Sequence, residues 1–314
     1  MATSTSARLL VPTTITPAML GAGTTLAEPA TAIGEVAWVS SGTYALADLR
    51  TYSGSTYKAT QAHTGRTTTP ALDTLFWLRM GPTLRTAPFD DYASTKARGT
   101  GTLTYVISPG FIDGVNLYGL EGAAYSIIVK SAPGGAVIAS KSGDLYMQAA
   151  GLWELLFAPL PAVSRVALDD IPMSPTTEVT ISVTNGASGP VAIGDIKVGG
   201  WRFIIGDPAG FGGTEYGASS ELKTYTSRKY NSDGTYSTVQ RGSYRDVSCT
   251  VVLSSEQALY ADATLSEVQN IAVPFEACGL PNYGYLSTLG FVGAKLSAPK
   301  GRITSVEINV KGNI

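Results

Sequence analysis

The chain has 314 residues, 15% of them charged, with a formal net charge of −2 and a single histidine. That balance, without a clustered Lys/Arg face, argues against nucleic acid as the main partner, and no run of about 18 apolar residues is present to cross a membrane as a helix. Thirty-five glycines and many Ser, Thr and Tyr residues beside so few charges predict a mainly β chain of roughly two or three domains, packed inside a larger assembly.

Residues 1–34 read as an arm: polar, broken by Pro12, Pro17 and Pro29, and without a sustained period. Residues 1–20 lack the basic head and long apolar core of a signal peptide. A Thr/Ser/Pro-rich terminus of this kind is expected to be ordered only if something holds it down. Residues 35–82 form a small module running from Trp38 to Trp77, with Tyr44, Tyr52 and Tyr57 between them, a turn at Ser53-Gly54-Ser55 and an end at Gly81-Pro82. So short a module has little core, and a few large aromatics must supply its buried area. Trp38 and Trp77 are therefore expected as core, or alternatively as ring faces for a sugar. His63 lies in a polar stretch and reads as a solvated loop residue, or as a hydrogen-bonding group for a sugar hydroxyl.

From 83 to 206 the pattern is one of short alternating strands: Leu103–Ile107, Ser126–Val129, Ala136–Ile138 after the turn Pro133-Gly134-Gly135, Glu178–Val183 before Asn185-Gly186, and Val191–Val198. Strands at this spacing predict a β-sandwich. Leu152–Phe157, an unbroken apolar and aromatic run apart from Glu154, reads as a core strand.

Residues 207–314 form a third unit, a C-terminal β-rich domain with one helix. A ribbon is predicted from Glu221 to Leu253 around the turn Asn231-Ser232-Asp233-Gly234. A helix follows near Ser255–Gln269, with Ser254 and Gln257 as a capping box and Leu259, Ala263, Leu265 and Val268 as its apolar stripe. Strands near 271–275, 285–291 and 303–310 close the unit. The ribbon interleaves Lys223, Arg228, Lys229, Arg241 and Arg245 with Tyr225, Tyr230, Tyr236 and Tyr244. Tyr and Arg are enriched in protein interfaces, so the ribbon reads either as an ordinary solvated hairpin or as a docking arm for neighbouring subunits. Glu221, Asp233 and Asp246 offset its charge, which places base stacking behind both.

The groups of common catalytic sites are sparse. A Ser/His/Asp or Cys/His site would have to be built on His63, and no G-x-S-x-G accompanies a serine. Asp90-Asp91 and Asp169-Asp170 are adjacent pairs whose members point to opposite faces of a strand, so neither is itself a glycosidase dyad. Gly199-Gly200 and Gly212-Gly213 lack the context of a phosphate loop. Cys249 and Cys278 could pair, although nothing in their spacing demands it. Without a C-x-x-C they predict no zinc site, and they fit synthesis in a reducing cytoplasm. No metal or cofactor is expected.

Two resemblances add to this reading. Trp38, Tyr44, Gly54, Tyr57-Lys58-Ala59, Gly65, Pro70 and Trp77 fall on a pattern that resembles chitin-type carbohydrate-binding modules of families five and twelve. The family's exposed aromatic pair is replaced here by Thr60-Gln61-Ala62-His63, and its Gly-Asp reads Ala47-Asp48. The resemblance implies a glycan site at Trp38, Tyr44, Tyr52, His63 and Trp77. The order of parts also resembles tailed-bacteriophage virion proteins. It is carried by Leu9-Leu10-Val11-Pro12, by Gly81-Pro82-Thr83 leading to Phe89-Asp90-Asp91, and by Gly213–Ser219 before the ribbon. The last domain is loosely similar to the ring-forming domains of tail-tube and distal tail proteins. These likenesses imply a non-enzymatic part of a tail tip or baseplate, made in the host cytoplasm and located in the virion. It would assemble with copies of itself and with other tail proteins through Tyr225, Arg228, Tyr230, Tyr236, Arg241, Tyr244 and Arg245, possess no membrane-inserted segment, and meet host polysaccharide through the module. A glycan-binding adsorption protein is the alternative. A secreted polysaccharide hydrolase stands further off, because it needs a signal peptide and a clustered acid pair.

Overall fold

A computed structural model describes residues 6–90, 95–149, 151–204, 212–239, 242–300 and 302–313, the side chains of 281, 299 and 300 excepted. The fold is mainly β, with one long helix among the described residues. The chain forms two compact units, Thr13–Val198 and Met1–Pro12 with Gly199–Ile314. The boundary expected near residue 206 thus falls inside the strand Asp195–Phe203, and residues 1–34 are divided between the units at Pro12.

In the unit Thr13–Val198, a four-stranded sheet runs in the order Val137–Asp144, Ala124–Lys130, Glu178–Thr184, Thr102–Ile107. Every second residue of Glu178–Thr184 is buried, as β-branched residues at a period of two dictate. Ile127, Val129, Val179, Ile181, Leu103 and Tyr105 from this sheet share one core with Val115, Leu117, Val166, Ile196 and Val198 from other strands. That is the two-layer burial a sandwich requires. The rest of the arm lies along this sheet's edge. Gly21 N–H donates to Val106 O (2.8 Å), Thr25 N–H to Thr104 O (3.0 Å) and Ser108 N–H to Met19 O (2.9 Å). The arm is therefore held by the chain's own strands, and its order gives no argument for an outside anchor.

Leu152–Phe157 corrects the expectation of a core strand. It is a six-residue helix, α1, in the excursion between Val137–Asp144 and Arg165–Leu168, and none of its residues is buried. An apolar run predicts burial, but apolarity alone does not distinguish a core element from an exposed one.

The module within this unit is a three-stranded sheet, Leu49–Tyr52, Ser55–Ala59 and Trp77–Pro82, beside the short pair Thr43–Tyr44 and His63–Thr64. Tyr52 pairs with Ser55 across a two-residue turn whose central residues, Ser53 and Gly54, both have positive φ (47° and 76°), the geometry that matches strand twist.

In the other unit, strand Arg8–Pro12 pairs on one side with Gly199–Phe203 and on the other with Phe275–Glu276. The sheet continues through Ala272–Glu276, Ser287–Lys300, Ile303–Gly312 and Ser243–Ser254. Leu9 and Leu10 are fully buried, and Arg8 Nε donates to Glu276 Oε2 (2.8 Å) while its guanidinium lies 4.2 Å from the Trp201 ring centroid. Helix α2, Ser255–Glu267, packs against this sheet. Its buried residues are Ala261, Thr264 and Leu265, with Val268 just beyond its end, the i, i+3, i+4, i+7 spacing of a helix stripe. The predicted stripe is corrected at two positions: Leu259 and Ala263 face solvent. The predicted capping box is also absent, since Ser254 makes no side-chain cap bond, and Ser255 N–H donates instead to Arg302 O (2.9 Å). Cys249 and Cys278 are both free.

Candidate assembly surface

The aromatics assigned to sugar binding come together, but as a core. Tyr44 and Trp77 are buried, with ring centroids 4.9 Å apart in an edge-to-face contact. His63 is packed among Tyr44, Phe76 and Trp77 at 5.3, 5.0 and 5.1 Å, so it is not the solvated loop residue the sequence predicts. Its Nδ1 lies 3.0 Å from Gln61 O. One hydroxyl, that of Tyr44, both accepts from Val39 N–H and donates to Val39 O (2.7 Å each), which ties the entry loop to the core. Trp38 and Tyr52 are half-buried against each other, edge to face at 5.5 Å. Arg66 caps the cluster: it lies 3.7 Å from the Phe76 ring centroid and forks onto the buried Asp73 (2.6 and 3.2 Å). A platform for pyranose stacking needs a free ring face. Tyr44, His63 and Trp77 spend theirs on one another, and the large side chains the module exposes are aliphatic: Leu46, Leu72, Leu75 and Leu78 among them.

The ribbon is different. Ser219–Thr224 pairs with the start of Ser243–Ser254, and the same hairpin continues through Ser227–Tyr230 and Tyr236–Val239, in register Ser227 to Val239 and Tyr230 to Tyr236. Every residue from 227 to 239 is exposed. The distal part reaches roughly 20 Å at ~3.4 Å per residue. Its turn is closed by Asp233 Oδ1, which accepts from the Thr235 hydroxyl (2.7 Å) and N–H (2.9 Å), and those bonds hold the carboxyl below its usual range.

Along the ribbon the tyrosines pair. Tyr225 stacks on Tyr244 at 4.4 Å, and Tyr230 lies 6.0 Å from Tyr236 across the strands, with the Arg228 guanidinium 5.9 Å from the Tyr236 ring. Tyr225, Tyr230 and Tyr236 are 51%, 71% and 61% exposed, so the rings are paired without being covered. At the base, Lys223 Nζ donates to Asp246 Oδ2 (2.8 Å) and Glu221 Oε2 (3.0 Å), bonds that raise its pKa, the Asp246 bond most. Burial works to raise the Asp246 carboxyl, but the Lys223 bond, the Gly312 N–H (2.9 Å) and nearby lysine charge outweigh it and hold it below the ordinary range. Arg245 is half-buried and spent internally, donating to Ser220 Oγ (3.1 Å) and Tyr285 O (2.6 Å). It braces the base of the ribbon. Arg241 and Asp91 lie outside the described residues.

One concavity was missed by sequence reasoning. A groove of about 330 Å³ in the unit containing the ribbon is lined by Glu215, Tyr216, Cys278, Leu280, Tyr283 and Tyr285, among others. Its tyrosines come from separate segments, and only the fold brings them together.

Comparison with protein-family models, with curated proteins and with solved structures finds no match.

Proposed function

We propose that this chain is a structural, non-catalytic protein of a tailed-phage virion, placed at the tail tip or baseplate, which docks on neighbouring subunits through its Tyr/Arg ribbon. The observation that carries the reading is the ribbon's exposure. A two-stranded hairpin alone in water is marginal, and this one leaves all of 227–239 open to solvent with its tyrosines uncovered. A partner that covers those rings supplies the missing third surface, with Tyr and Arg as anchors. The phage resemblance in the sequence supplies the setting. The test is incorporation. A Tyr230→Ser/Tyr236→Ser chain is expected to fold as the parent does and to be lost from assembled particles. Incorporation at the parental level, or absence of the parental chain from purified particles, contradicts the reading.

The second reading, glycan binding for adsorption, keeps one observation. In the 330 Å³ groove, Tyr216 is fully exposed and Tyr283 and Tyr285 are 41% and 54% exposed beside the Glu215 carboxylate, so ring faces and an acceptor are available there rather than in the module. Titration with oligosaccharides and a Tyr283→Ala/Tyr285→Ala variant checks it. Binding that survives the double variant removes the groove from consideration.

A further inference from the structure

We propose that α1 and the stalk that carries it form a self-association knob, through which two copies of this chain meet face to face. This deepens the assembly reading by naming one partner, and rests on it only for the expectation that copies meet. The helix is inverted in polarity. At about 100° per residue, Leu152, Trp153, Leu155, Leu156 and Phe157 occupy one arc of roughly 200°, with Glu154 and Ala158 on the remaining side. A surface helix ordinarily turns its apolar arc inward. Here the five apolar side chains are 59–74% exposed, and Glu154 and Ala158 are half-buried.

The knob is built, not frayed. Val163 N–H donates to Leu145 O (2.7 Å) and Met147 N–H to Pro161 O (2.9 Å), while Tyr146 bridges Ala162, so the excursion leaves and re-enters the unit as a paired stem rooted on the buried Leu145. Trp153 and Phe157, one turn apart, lie with ring centroids 4.5 Å apart and planes inclined at 40°, and form one contiguous aromatic slab. The stem adds Tyr146 and Met147, 47% and 56% exposed.

Area and charge identify the occupant. With ~200 Å² for each large side chain, the exposed fractions leave roughly 800 Å² open, close to what one partner contributes to a standard interface and above the ~300–600 Å² of an ordinary monomer's largest apolar patch. A two-fold contact sets each residue class against itself, which a charged patch resists and an apolar one permits. From Leu145 to Ser164 the chain carries one acid, Glu154, on the inner side of the helix, and no Lys or Arg. The missing basic residues weigh against an anionic lipid surface, which amphipathic helices engage through Lys and Arg.

The test is sedimentation velocity on the full chain across micromolar concentrations. The expected result is a species of twice the 32.7 kDa chain mass. Replacing the slab, Trp153→Ser with Phe157→Ser, is expected to weaken association by about 100-fold or more while the far-ultraviolet spectrum and melting profile stay as in the parent. Leu156→Glu, which retains helix propensity and sets like charges against each other, should do the same. A parent that remains a monomer throughout overturns the proposal, as does a parent that stays monomeric and floats with phosphatidylcholine vesicles, or slab variants that associate like the parent. If Tyr230→Ser/Tyr236→Ser alone abolishes the dimer, the knob is wrong and the assembly reading stands. If the dimer depends on the slab yet the chain is absent from particles, the assembly reading fails and the knob stands.

Discussion

Trp77 fills the centre of the module, and removing its ring leaves Tyr44 and His63 facing a void. Trp77→Ala is expected to destabilise the module by about 3–5 kcal/mol, read as an earlier transition in thermal unfolding. Trp38→Ala should cost clearly less, because Trp38 is only half-buried at the margin of the cluster. Equal, small effects would contradict this packing. The same reasoning separates the two thiols. Burial pushes the Cys249 thiol up to about 12, whereas Cys278 lines the open groove. At pH 8 a maleimide is expected to label one thiol per folded chain, at Cys278, and two after denaturation. The module's aromatics are legible in the sequence, since size and spacing are visible in one dimension. Which ring faces are used is not, because His63 reaches Tyr44, Phe76 and Trp77 only after the strands pair.

Among the elements, the short strand Arg8–Pro12 is paired along both of its edges. It lies between two partners and buries Leu9 in the core shared with α2. Leu9→Ala is expected to cost about 2–5 kcal/mol, and deletion of residues 1–12 to leave two edges unpaired and the unit sensitive to protease. A truncated chain as resistant as the parent would contradict the topology. At the ribbon's base the linkage has a definite sign. Asp246 is held below the ordinary carboxylate range, so its contribution is complete above the unfolded value of about 4 and is lost as pH falls through the lower folded one. Amide exchange in Ser219–Thr224 should therefore quicken, relative to the sheet core, only at acid pH, and Asp246→Asn should show the faster exchange at neutral pH. The strands of the two-layer unit and α2 were legible from β-branched alternation and helical period. The exposure of α1 was not, because an outward apolar arc has the same residues as an inward one.

For the whole molecule, low charge and abundant Tyr pointed to surfaces finished by neighbours, and the ribbon and the knob give that idea specific residues. The mainly β class was legible from composition and turns. The division into units was not, because Arg8–Pro12 joins strands about 190 and more residues away in sequence, a pairing that local pattern does not encode. The most direct measurement is cross-linking mass spectrometry on purified particles with an amine-reactive reagent. Lys229, exposed on the ribbon, is predicted to link to a different protein of the particle or to a second copy of this chain. Particles that contain the chain but whose Lys229 links only within its own copy, or particles that lack the chain altogether, would contradict the account.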